Sequence, residues 1–261
     1  MTPKVVILCG GMGTRLREET EYKPKPMVEV GGKPILWHIL KIYDHYGFKD
    51  FVLCLGYKGD VIKNYFLNFE ALNNDLTVKL GHGKSVKVHD GTENNDWSIT
   101  LADTGNKTLK GARLKKIEKH IEEDVFMVTY GDGVANINIE KLLKFHQQHG
   151  KTGTVTGVRP PSLFGELFVE NDRAMLFSEK PQTSSGLING GFFVFNKKLF
   201  DYLSEDENCD LEKGPLEKLT DDGELMVYTH DGPWACMDNY RDVEYLNKLW
   251  RDKQAFWKAW K

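Results

Sequence analysis

Near its N-terminus the chain alternates short apolar runs with amphipathic ones, a pattern that few folds accommodate. Residues 4–9 (KVVILC) and 51–55 (FVLCL) are almost free of polar side chains, so as strands they need cover on both faces. Residues 34–46 and 60–69 carry apolar positions at helical spacing. Continuous strands separated by such helices predict a parallel sheet with helices on either side. Between 76 and 103 the pattern changes. Val78 and Leu80, Val86 and Val88, then Trp97, Ile99 and Leu101 alternate with other residues, which predicts antiparallel strands, with DGTENND (90–96) as a polar turn. The first pattern resumes with a strand at 125–129 that ends in Tyr130-Gly131-Asp132-Gly133, and a helix at 139–149. Strands are expected at 154–158, 167–169, 175–177 and 191–195, with a polar loop at 182–186 between the last two. From Asn239 onward Val243, Leu246, Leu249, Trp250, Phe256 and Trp257 fall near helical spacing. No repeat, low-complexity tract or long linker divides the chain. The expected fold is α/β: a doubly wound, mostly parallel mixed sheet in one domain spanning 1–261, with an inserted β-ribbon. Its core runs to about residue 235 and a helical tail covers 236–261.

In such a sheet ligands bind beyond the carboxyl ends of the strands. The segment after the first strand, CGGMGTRLREETEYKPKPM (9–27), has the parts of a polyphosphate cradle. Glycines let backbone N–H groups approach an anion closely, and cations offset its charge. It is not a Walker A loop, because no Lys-Ser or Lys-Thr follows the glycines at the required distance. Nor is it the dinucleotide fingerprint, because Leu16 stands at the third glycine position. Lys25 lies between Pro24 and Pro26, which stiffen the backbone on either side of it. The plain alternative is a flexible loop with solvated charges, for which such stiffness has no use. A formal net charge of −3 over 261 residues gives no general attraction to nucleic acid or anionic membranes, so a polyanion needs a local cluster of cations. Cys9, Cys54, Cys209 and Cys236 form no C-x-x-C pair, which argues against a structural zinc site or disulfide scaffold. Cys9 and Cys54 sit in apolar runs and read as buried thiols. No long uncharged apolar span appears, and a reducing cytoplasm is the expected compartment.

Gly10-Gly11-x-Gly13-Thr14-Arg15-Leu16, followed by Thr20 and Pro24-Lys25-Pro26-Met27, resembles the signature of the sugar-1-phosphate nucleotidylyltransferases. The likeness continues through Gly32-Lys33-Pro34-Ile35-Leu36, Gly131-Asp132-Gly133, Phe164-Gly165-Glu166, Glu179-Lys180-Pro181, Asn189-Gly190-Gly191 and Asp238, and so takes in almost the whole chain. The resemblance implies a Rossmann-like nucleotidyltransferase fold and a homo-oligomer. It assigns the nucleotide to Leu8, Cys9, Gly10, Gly11, Met12, Gly13, Thr14, Arg15, Lys25, Thr104, Arg113 and Gly131. The sugar phosphate goes to Gly165, Glu179, Lys180, Asn189 and Gly190, and Mg²⁺ to Asp132 and Asp238. Arg15, Lys25 and Asp132 are the catalytic residues it implies. Members that use dTTP or UTP carry a Q-x-x-P-x-G-x-A-x-A stretch that this chain lacks. Leu101-Ala102-Asp103-Thr104-Gly105 and Gly111-Ala112-Arg113-Leu114 stand in its place and resemble the cytidylyl branch, which joins CTP to glucose 1-phosphate and is associated with hexamers.

The chemistry this implies suits the residues. A sugar phosphate oxygen attacks the α-phosphorus of the triphosphate and pyrophosphate leaves in line, so positioning and charge neutralisation lower the barrier. The nucleophile is already ionised, no general base is needed, and His38, His45, His146 and His149 are expected to be structural or surface residues. Two carboxylates with phosphate oxygens and water suit Mg²⁺. On sequence alone other readings stay open. Asp132 could be a turn former between glycines, and Asp238 a helix cap before Asn239. Glu179 and Lys180 could form an exposed charged turn, and Asn189 and Gly190 simply begin a strand. Arg113, in the run Arg113-Leu114-Lys115-Lys116, could lie on a solvated helix face. The tryptophan-rich tail fits packing or a subunit contact equally well.

Overall fold

The computed structural model describes residues 2–89, 95–160, 166–170, 172–178 and 186–260. Seven strands form the central sheet: β1 (Val5–Leu8), β2 (Asp50–Leu55), β3 (Ser98–Asp103), β4 (Val125–Tyr130), β5 (Gly153–Val158), β6 (Ile188–Asn196) and β7 (Leu225–His230). Their order is β7-β5-β6-β4-β1-β2-β3. Strand β6 runs antiparallel to both its neighbours and the other pairings are parallel, the mixed, mostly parallel sheet expected. The main helices are α1 (Ile35–His45), α2 (Gly59–Leu67), α3 (Lys110–Lys116), α4 (Ile139–His149), α5 (Pro215–Asp221) and α6 (Tyr240–Arg251).

Strand β1 shows why the sheet is covered on both faces. Val5 and Ile7 enter one apolar cluster with Ile35, Leu36, Ile39 and Tyr43 of α1, while Val6 and Leu8 enter another with Leu114, Phe126, Phe193 and Phe200. The period-2 geometry of a strand sends successive side chains to opposite faces, so a run with no polar position fills two cores. Helix α1 turns Ile35, Leu36, Ile39, Leu40, Ile42 and Tyr43 into the first. Leu246 of α6 and Trp257 beyond it belong to that cluster, so the tail packs on the core. Among the described residues no helix is long and apolar enough to cross a membrane.

Several details differ from the sequence reading. Of the expected helical tail over 236–261 only Tyr240–Arg251 is helical, with Phe256 and Trp257 beyond it. Strand β7 and helix α5 carry no expectation from the sequence. Residues 76–79 and 85–88 do form an antiparallel ribbon, but the third run is β3, a parallel edge strand on β2. Alternation reports one half-covered face, and an edge strand of a parallel sheet satisfies it as well as a ribbon does. The second helix ends at Leu67 and a separate turn of helix follows at Phe69–Asn73, where one helix was expected through 69. Residues 90–94 of the predicted turn and 182–185 of the predicted loop lie outside the described residues.

Candidate active site

Strand β1 has β2 on one side and β4 on the other, so the chain diverges in two directions at its carboxyl end and leaves a crevice there. The glycine segment enters it directly. Cys9 N–H donates to Cys54 O at 3.0 Å and Gly131 N–H donates to Leu8 O at 3.1 Å, which pins the loop's first residue and the turn after β4 side by side. A Cβ on Gly10 would lie 2.1 Å from the Arg113 guanidinium carbon, so only glycine leaves room for that side chain. Gly13 adopts φ +60° against Thr20. The crevice opens into a cleft of about 540 Å³.

Lys25 begins a 3-10 turn, Lys25–Met27, behind Pro24, and its neighbours Pro26 and Met27 are buried. The stiff support delivers the ammonium between two carboxylates, 2.5 Å from Asp132 Oδ2 and 2.6 Å from Asp238 Oδ1. A small ribbon brings those carboxylates together. Residues 133–135 pair antiparallel with 234–236 in the register Gly133↔Cys236, and Met237 N–H donates to Asp132 O at 2.9 Å. Asn239, not Asp238, caps α6: its side chain accepts from Asp242 N–H, and Asp242 accepts in turn from the N–H groups of Asp238 and Asn239. The Asp238 side chain is thereby left to the cleft, where Arg15 reaches Oδ2 at 3.2 Å. Burial alone would lower the Lys25 pKa, but the Asp132 and Asp238 carboxylates outweigh it and hold the ammonium above its usual range. Burial likewise works against ionised Asp238, and Lys25, with help from Arg15, holds its carboxyl below the usual value.

Most of the residues assigned by resemblance meet here. Leu8, Cys9, Gly10, Gly11, Gly13, Thr14, Arg15, Lys25, Arg113, Gly131, Asp132, Asn189 and Asp238 all line the cleft. Others do not. Met12 is exposed and borders a separate hollow with Tyr57 and Glu21. Thr104 is buried, and its hydroxyl is spent on Leu55 O at 2.6 Å and on Arg113. Gly190 takes no part in the lining; its carbonyl accepts from the Trp234 indole at 2.8 Å. Gly165, Glu179 and Lys180 lie outside the described residues. Arg113 is no solvated helix residue. It is buried, and its guanidinium donates to Leu55 O, Gly105 O, Gly10 O and the Thr104 hydroxyl at 2.7–3.0 Å. Of the histidines, His38 and His146 are buried and each is pushed down to about 4, first of all by burial.

The sequence profile of the nucleotidyl transferases matches residues 4–258. The chain belongs to that family. It is 48% identical over 257 residues to a Bacillus subtilis protein named "Probable glucose-1-phosphate cytidylyltransferase", covering 98% of this chain and 100% of that one. The glucose-1-phosphate cytidylyltransferase of Salmonella typhi is 46% identical over 258 residues, with 98% and 99% covered. Among solved structures, HddC from Yersinia pseudotuberculosis superposes with a TM-score of 0.68 at 23% identity, over 95% of this chain and all of the other, a likeness of fold.

For a nucleotidyl transferase the cleft holds more than the motifs announce. Thr108, Leu109, Lys110, Tyr130, Trp234 and Cys236 line it as well. Tyr130 and Cys236 neighbour motif residues, so proximity in sequence could have flagged them. Lys110 and Trp234 come from α3 and the small ribbon, and carry no sequence signal of their own. Among the described residues no three His, Cys, Asp or Glu side chains gather as a metal cage. Asp132 and Asp238 nevertheless aim hard oxygens at a single point, now taken by the Lys25 ammonium, and a pair of carboxylates completed by phosphate oxygens and water is a donor set that suits Mg²⁺.

Proposed function

We propose that this nucleotidyl transferase joins CTP to glucose 1-phosphate, releasing CDP-glucose and pyrophosphate, as a step toward deoxysugars of bacterial surface polysaccharides. The observation that carries the reading is the convergence of Lys25 on Asp132 and Asp238, with Arg15 on Asp238, in the cleft beyond β1 and β4. Relatives of nearly equal length at 46–48% identity carry the cytidylyltransferase name, which supports the choice of base and sugar.

In this reading a phosphate oxygen of glucose 1-phosphate attacks the α-phosphorus of CTP, and the bond from that phosphorus to the bridging oxygen of pyrophosphate breaks. The glycine loop receives the triphosphate through backbone N–H groups. Arg15 and Lys25 offset negative charge as it shifts to the leaving pyrophosphate. Asp132 and Asp238 would hold Mg²⁺, which when bound neutralises phosphate oxygens. Asn189, with Glu179 and Lys180, orients the sugar phosphate, while Arg113 braces the wall on which the base rests. We read residues 1–261 as one catalytic unit acting in the cytoplasm. We also read it as a homo-oligomer, since Val78 and Val86 face each other across the 76–88 ribbon and both are exposed; light scattering on a sizing column checks this.

Cytosine presents an amino donor where uracil and thymine present a carbonyl acceptor, and a site built of acceptors for that amino group leaves them unpaired when UTP enters. CTP should therefore exceed UTP and dTTP in kcat/KM by at least roughly 10²-fold. Pyrophosphate release with each of the four common triphosphates and glucose 1-phosphate tests this. Comparable use of CTP and dTTP would overturn the choice of base, and no release with any of them would overturn the reaction.

A further inference from the structure

Glu212 belongs to none of the motifs and does not line the cleft, yet three side chains of one cleft wall depend on it. Lys110 Nζ lies 2.6 Å from Glu212 Oε1. The Tyr130 hydroxyl donates to the same oxygen, and Asn189 Nδ2 donates to the Tyr130 hydroxyl at 3.0 Å. Asn189 Oδ1 accepts from Gly191 N–H at 2.9 Å, so both ends of that amide are committed and its orientation is set. Backbone geometry makes room for the arrangement. Gly191 has φ +81°, and a Cβ there would come within 2.5 Å of the Tyr130 ring. Lys110 also sits 5.4 Å from the centroid of that ring. On the far side Asp210 stands against Glu212. Burial works against ionised Glu212, but hydrogen bonds from Asp210, Lys110 and Tyr130 outweigh it and hold its carboxyl below the usual range, while Asp210 moves up.

We infer that Glu212 is a positioning residue for the sugar-phosphate side of the cleft, setting Lys110 and Tyr130 directly and Asn189 through the Tyr130 hydroxyl. An ammonium, a phenol and an amide held in one register match the hydroxyl and phosphate oxygens of a hexose phosphate. Each of these groups left to rotate freely would lose orientational freedom on binding. The inference rests on the reaction proposed above and adds the residue that organises its acceptor subsite.

Steady-state kinetics of the full chain test it through Tyr130→Phe, which keeps the ring against Gly191 and removes the linking hydroxyl, and through Glu212→Gln. Each should raise the KM for glucose 1-phosphate about tenfold, the size of one well-placed hydrogen bond, with the KM for CTP unchanged within about twofold. Combining Glu212→Gln with Asn189→Ala should raise that KM by less than the product of the two single effects, because the Asn189 amide that Glu212→Gln misplaces through Tyr130 is already gone, while Lys110 and Tyr130 still lose their partner. A role in stability only would move both KM values together or reduce the active fraction without a split. Such a result, an unchanged KM for glucose 1-phosphate in Tyr130→Phe, or fully multiplicative effects in the double variant would overturn the inference. Wild-type enzyme inactive on CTP and glucose 1-phosphate would overturn the reaction as well, which separates the two failures.

Discussion

Helix α6 is tied to the N-terminal half of the chain at both ends, and the two ties are opposite in kind. At its start Asp238 meets Lys25 and Arg15 through charge, in a cleft open to solvent. Beyond its end the tail encloses His38, whose ring lies 4.7 Å from that of Trp250 and about 6 Å from those of Trp257 and Trp260. The imidazole is neutral: Nε2–H donates to Val30 O at 2.8 Å, and Nδ1 accepts from the Trp257 indole at 3.3 Å. Between the ends Asn247 grips the hairpin that follows Lys25, accepting from Gly31 N–H at 2.9 Å and donating to Glu29 O at 3.1 Å. The aromatic tie stabilises through burial and has fixed partners. In the proposed reaction polyphosphate and a cation would compete for the groups of the charged tie, which would make its bonds exchangeable. One helix thus carries an apolar anchor at one end and, in the proposed reaction, the chemistry at the other.

The sharpest way to break that contrast is to exchange the expected consequences. Trp257 is 1% exposed, so Trp257→Ala should cost about 3–5 kcal/mol of stability, with turnover per folded molecule little changed. Chemical denaturation beside active-site titration reads both, and a loss of turnover without loss of stability would reverse the roles. Lys25→Ala should do the opposite. Losing a preorganised cation next to the leaving group should lower turnover about 10²-fold or more, while thermal unfolding shows the fold intact. Near-normal turnover in that variant would remove Lys25 from the chemistry.

Acidity separates the two ties again. Burial, against a weaker opposing pull from the Val30 hydrogen bond, pushes the His38 pKa down from 6.5 to about 4. The unfolded chain therefore binds more protons than the folded one between those values, and stability must fall as the pH drops through that window. From pH 6.5 to about pH 5 His38 should account for about 1.5 kcal/mol of the loss, with His146, pushed down to the same range, adding its own. Denaturation midpoints measured across that range should fall less steeply in His38→Gln than in the wild type, and an unchanged slope would show that this imidazole is not a titrating group. The smallest effect concerns the cation. Asp132→Asn and Asp238→Asn should each raise the Mg²⁺ needed for half-maximal activity at least about tenfold, since even outer partners of metal ligands are worth that much. Chelation should abolish wild-type activity reversibly, whereas full activity in excess chelator would refute the metal assignment.

What the chain's own residues determined is local or periodic. Runs such as VVIL and FVLCL have no face fit for water, so they had to become doubly covered strands, and residues 139–149 repeat apolar positions at a spacing only a helix satisfies. The lining of one side of the cleft was legible because its parts are contiguous: glycines, Arg15 and a lysine between prolines all follow a single strand. Tertiary structure decided whatever depends on two distant segments meeting. The pairing of Asp132 with Asp238 comes from the register of a three-residue ribbon between stretches about a hundred positions apart, too short to leave a periodic signal. Strand β3 joined the parallel sheet and not the ribbon, because alternation records how much of a strand is covered and says nothing of its partner's direction. Arg113 lies in a basic run that fits a solvated helix face as well as a nucleotide contact. Only folding sets four backbone and hydroxyl oxygens around its guanidinium, since the desolvation of a buried charge is offset by partners that sequence does not place side by side.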